Sequence, residues 1–174
     1  MPKPLNLKQM PAFHIQQASD ATLQVLLELI LHFDFLAKEL EQNDDVTALI
    51  PDTPLGHAIN MVLAQTAEGE WELAEQSIIN SELVANPSIG KILNDPEFSR
   101  HLPEDSDSKE VLENKRERVT AAFNDCVNEM IRNDLDMKIA EISQAMRTAS
   151  GEELVRMQRD CCELIARKNR LKKR

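Results

Sequence analysis

The sequence predicts an all-α protein: a small helical bundle joined by a long helix to a C-terminal antiparallel helical hairpin. Three observations carry that expectation. Aromatic residues are only 3% of the 174 and glycine fills 4 positions, whereas Leu, Ala, Glu, Gln, Met and Ile, which favour helix over sheet, are plentiful. Apolar residues recur at helical spacing in the segments that follow residue 18. Cap-plus-proline signals at Thr53-Pro54 and Asn86-Pro87 mark helix starts.

Residues 1–18 carry Pro2, Pro4 and Pro11 without a sustained period, so they are expected to be a linker. A bundle subdomain is expected over 19–130 and a hairpin subdomain over 131–174. Ser19 and Asp20 offer an N-cap to a first helix with Leu23, Leu26, Leu27, Ile30 and Leu31 on its apolar face, ending near His32 or Phe33. Asp34 reads as a fresh cap for a short helix with Phe35, Leu36 and Leu40, which Asn43-Asp44-Asp45 breaks. Thr53-Pro54 starts a helix that aligns Leu55, Ile59, Val62 and Leu63, and Gly69 stops it.

The next helix opens at Glu70-Trp71, with Trp71, Leu73, Ala74, Ile78 and Ile79 as burial candidates. Leu83 and Val84 follow a bend, and Asn86-Pro87 leads into Ile89, Ile92 and Leu93. Asp95-Pro96 and Leu102-Pro103 bracket a loop that continues through Glu104 to Ser108. A stripe of Leu112, Val119, Phe123, Val127, Met130, Ile131, Leu135, Ile139, Ile142 and Met146 then predicts one helix of about ten turns. Such a helix outruns a small bundle, so its far half needs another partner.

That partner follows. Thr148-Ala149-Ser150-Gly151 is a turn signal, with Ser150 and Glu153 spaced as a capping box. Leu154, Met157, Cys161, Leu164 and Leu171 repeat at three-four spacing, interrupted by Lys168, as in the seam of a two-helix coil.

Motifs of catalysis are scarce. There is no Gly-rich phosphate loop, no nucleophile elbow and no paired His with an intervening Glu. His14, His32, His57 and His101 are far apart in sequence, and the three cysteines, Cys126, Cys161 and Cys162, lack metal-ligand spacing. Cys161 is expected to fill the seam and Cys162 to flank it. The acidic groups Asp44-Asp45 and Glu104-Asp105-Ser106-Asp107 lack the oxygen spacing of a calcium loop and are expected to be solvated loop charge. Trp71 is expected to be a packing residue. No catalytic, cofactor or metal residue is therefore assigned.

The formal charge of −10 makes the chain as a whole repel nucleic acid and anionic membrane. No apolar run reaches the length of a membrane span, and an odd count of cysteines, two of them adjacent and so poorly placed to pair, suits a reducing cytoplasm. The charge is polarised, because eight Lys or Arg lie between Arg156 and Arg174 against Asp160 and Glu163. Basic residues at a helix end are partly a dipole effect, and beyond that they suit an acidic partner surface. No aromatic residues are interleaved with them to stack bases, which disfavours nucleic acid as the partner.

The order of segments resembles the C-terminal helicase-binding domain of bacterial DNA primase over roughly residues 20–174. The likeness rests on Leu26-Leu27-Glu28-Leu29-Ile30-Leu31-His32 running into Phe35-Leu36-Ala37, on Thr53-Pro54-Leu55 before a helix, and on Trp71-Glu72-Leu73-Ala74. A long helix and a terminal hairpin ending in Lys and Arg complete it. Where the family commonly carries a Pro, this chain has Asp34.

The resemblance implies a non-catalytic module that docks a primer-synthesising RNA polymerase on the N-terminal domains of the hexameric replicative helicase and modulates the helicase during DNA replication. The family's zinc and magnesium chemistry belongs to other domains, absent from this sequence. Ile165 and Leu171 are then expected to supply apolar contact, with Asn169, Arg170, Lys172 and Lys173 setting orientation and encounter rate. The alternative is a helical nucleic-acid-binding or architectural protein acting through its basic tail.

Overall fold

The chain is described by a computed structural model over residues 19–172, which form two compact units, Ser19–Val127 and the segment from Asn128 onward. Every regular element among them is helical, and none is a strand. The all-α class expected from composition is therefore what the chain adopts.

Helix α1 (Asp20–His32) is the centre of the first unit. Ser19 caps it by accepting a hydrogen bond from the Thr22 amide. Leu26 to Leu31 are buried without a break, so the helix is covered on all sides, as its near-continuous apolar run requires. Helices α2 (Asp34–Glu41) and α4 (Pro54–Ala67) pack on α1 and on each other. Helix α3 (Asp44–Thr47) lies between them in sequence and packs on α2. Helix α5 (Ala74–Ile79) rests on α4, and α6 (Pro87–Asn94) touches both α1 and α4.

The chain breaks between α1 and α2 at Phe33, whose extended backbone is the N-cap of α2, so Asp34 is the first helical residue and not its cap. Phe33 is buried, and that burial sets the break in place of a polar cap. Gln42 is the C-cap of α2, and the next residue, Asn43, caps α3 by accepting a hydrogen bond from the Val46 amide. Thr53 and Asn86 cap α4 and α6 as their sequence signals predict. At the end of α4, Gly69 takes φ 76°, and the Gly69 and Glu70 amides return to the Thr66 and Gln65 carbonyls. This left-handed termination favours glycine.

Two burial expectations fail around α5. Ala74 and Ile78, four apart on α5, are buried, but Leu73, which ends the 3₁₀ turn Trp71–Leu73, and Ile79, a 100° step round α5 from Ile78, are exposed. Trp71 is half-buried and donates its indole N–H to the Ile30 carbonyl at 2.7 Å, meeting one of the orphan acceptors at the end of α1. It is a packing residue, as expected.

The loop 95–108 is held by a carboxylate in the core. Glu28, buried on α1, accepts the Glu97 amide at 2.9 Å and the Phe98 amide at 2.6 Å. Further along, Asp107 accepts the Glu104 amide at 2.9 Å and pairs with Lys115 at 2.6 Å, while Lys115 also donates to the Leu102 carbonyl. The acidic run 104–107 is thus not merely solvated charge: its last carboxylate closes the loop onto the following helix.

That helix, α7, runs unbroken from Lys109 to Met146. In its first part Val119, Phe123 and Cys126 are buried, whereas Leu112, expected in the same stripe, is 38% exposed. In the second unit α7 turns at 147–150 into α8 (Gly151–Lys172), forming the antiparallel hairpin. The predicted Ser150–Glu153 capping box makes no hydrogen bond among the described residues; the turn uses Gly151 at φ 65° instead.

Candidate functional site

The hairpin is held by one narrow seam. Along α8 the described residues that are buried or half-buried are Leu154, Met157, Cys161, Leu164, Lys168 and Leu171, an uninterrupted three-four alternation. Met130, Leu135 and Cys161 are the buried members of the unit, and Ile131, Ile139, Ile142 and Met146 are half-buried along α7. Lys168 does not break the seam. Its ammonium pairs with the Asp136 carboxylate of α7, so a cation occupies a seam position with its counter-charge opposite.

With the seam defined, the remaining faces of α8 follow from 100° per residue. Val155, Cys162, Ile165 and Asn169 fall on one flank and are all exposed, Val155 by 56% and Ile165 by 42%. Arg156, Arg159, Arg167 and Arg170, with Glu163 among them, form a ridge on the side away from the seam. An apolar strip therefore borders an arginine ridge. Arginine in such a ridge presents planar, weakly hydrated donors suited to carboxylates.

The residues expected to touch a partner divide among these faces. Ile165 and Asn169, four apart, share the exposed flank. Arg170 is exposed on the arginine ridge. Leu171 is half-buried and continues the seam. Lys172 closes α8, and Lys173 lies outside the described residues. Cys162 lies on the exposed flank, beside the seam that Cys161 fills, as expected, whereas Val155 was not expected there, because periodicity assigned its neighbour Leu154 to the seam.

Among the described residues no helix is long and apolar enough to cross a membrane. No group of three or more His, Cys, Asp or Glu among them is gathered to hold a metal ion. Compared with protein-family models, with curated proteins and with solved structures, the chain finds no match.

Proposed function

We propose that the chain is a protein-docking module, and that its partner is the N-terminal region of a hexameric replicative helicase, to which it would tether a primer-synthesising polymerase. The observation that supports docking is the exposed flank Val155–Cys162–Ile165 beside the Arg156–Arg159–Arg170 ridge, on a chain of net charge −10. Apolar surface at the centre of such a patch supplies burial, and the arginines orient an acidic partner and speed encounter. The identity of the partner rests on the order of segments and the terminal hairpin described above. The module has no catalytic role in this reading.

Deletion of residues 166–174 tests it, because that removes Asn169, Arg170 and the basic end while leaving most of the seam. Calorimetric titration onto a replicative helicase hexamer is expected to lose binding, with helical circular dichroism largely retained. Unchanged affinity would overturn the assignment. Steeply salt-dependent binding to short DNA, without affinity for helicase, would make the basic tail a nucleic-acid contact instead.

A further inference from the structure

A cleft of about 540 Å³ lies within the first unit, far in sequence from the hairpin, between the α1–α2 junction, the loop at His101 and the first two turns of α7. Its size falls in the range of small-molecule sites. One wall is aromatic: Phe33 and Phe35 meet edge to face at 6.2 Å, and the Arg116 guanidinium lies 3.9 Å over the Phe35 ring. The other wall is a single face of α7, where Lys109, Leu112, Glu113 and Arg116 stand at i, i+3, i+4 and i+7. Leu112, exposed although it belongs to the apolar stripe of α7, lines this cleft.

The charges of the cleft are not all committed. Asp34 faces Lys38 at 3.4 Å and Lys115 is taken by Asp107 at 2.6 Å. Among the described residues Lys109 and Arg116 make no ion pair, so two cations remain about 10 Å apart along the helix with Glu113 between them. His32 also lines the cleft. Burial first, and then the charges of Arg100, Arg118 and Lys115, hold His101, which also lines the cleft, below its ordinary pKa.

We propose that this cleft binds a nucleotide, a ligand that combines a flat aromatic ring with a separated anion. The base stacks on the outer face of the Arg116 guanidinium, which Phe35 supports from beneath. Glu113 accepts from the ribose hydroxyls, and Lys109 takes the phosphates. The spacing of Arg116 and Lys109 matches the distance between the base and the end of a polyphosphate chain, which neither a free base nor a free phosphate would use.

Calorimetry of the full chain with ATP and GTP tests this, with adenosine and inorganic pyrophosphate as separate probes. At least one triphosphate is expected to bind saturably, with adenosine and pyrophosphate each at least tenfold weaker. Arg116→Ala and Lys109→Ala, both at exposed positions, are each expected to weaken binding at least tenfold with unchanged circular dichroism. Absence of saturable binding, pyrophosphate binding equal to that of the triphosphate, or full affinity in both variants would overturn the proposal. Ring resonances of His32 and His101 provide a second readout, expected to shift on titration in the parent chain and not in Arg116→Ala.

Discussion

Lys168 of α8 pairs with Asp136 of α7 at a seam position where every other α8 residue is apolar or cysteine. Both side chains keep about a quarter of their surface exposed, so the pair is neither freely solvated nor fully desolvated. A charged residue at such a position costs stability compared with leucine but sets the register of the two helices. A slipped register would leave the ammonium against apolar seam residues.

In a double-mutant cycle of Asp136→Ala and Lys168→Ala followed by guanidinium denaturation, the coupling is expected to be about 1 kcal/mol. Lys168→Leu combined with Asp136→Ala is expected to be as stable as the parent or more so, since an apolar seam then runs without interruption. A coupling indistinguishable from zero would show that the pair does not hold the hairpin.

Glu28 holds the Glu97 and Phe98 amides at 2.9 and 2.6 Å from a buried position on α1. Glu28→Ala leaves both amides without an acceptor and is expected to cost about 3 kcal/mol, whereas Glu28→Gln, which keeps one oxygen, costs about half of that. Amide hydrogen exchange at Glu97 and Phe98 should accelerate first in the alanine variant. Unchanged protection there would mean that the loop is held by other contacts.

Two glycines inside helices make opposite predictions. A Cβ at Gly56 would lie 1.9 Å from the Pro51 carbonyl oxygen, so Gly56→Ala forces the 50–51 backbone away from α4 and is expected to destabilise by about 2–3 kcal/mol. At Gly90 the nearest atom is the Val84 carbonyl oxygen at 3.8 Å, ordinary contact distance. Gly90→Ala is therefore expected to stabilise by up to about 1 kcal/mol through helix propensity. Equal denaturation midpoints for the two variants would contradict the packing described at Pro51.

Stability should depend on pH in two windows. The Lys115 hydrogen bond, and next the Glu104 amide, hold the Asp107 carboxyl below its ordinary 3.8. With the folded pKa depressed, this contribution is present above the unfolded value and is lost as pH falls through the folded one; Asp107→Asn should flatten the curve there. Burial first, then the Arg100 charge, lower His101 below 6.5. Here the unfolded chain takes the proton first, so stability falls as pH drops from about 6.5 toward the folded value, and His101→Gln should remove that slope. Denaturation midpoints measured from pH 7.5 to pH 3 test both.

The hairpin shows how unevenly the chain could be read. The seam was legible as Leu154, Met157, Cys161, Leu164 and Leu171, because side chains three and four apart on a helix share a face whatever the partner. Lys168 looked like an interruption, since its counter-ion lies 32 positions back on another helix. The nucleotide cleft was not legible at all: Phe35, His101 and Arg116 belong to three separate segments, and no local spacing links them.

The amino-acid order was sufficient to specify what is local: the all-α class, caps at Ser19, Thr53 and Asn86, the stop at Gly69, and the periodic faces of α7 and α8. These depend on backbone propensity and side-chain spacing within a few residues, which are properties of a segment alone. The folded chain decided what depends on distant partners: the burial of Glu28, the pairing of Lys168 with Asp136, the locking of Asp107 by Lys115, and the exposure of Leu73, Ile79 and Leu112. Each of these is set by which surfaces meet across the chain, where burial and charge compensation depend on the neighbour as much as on the residue itself.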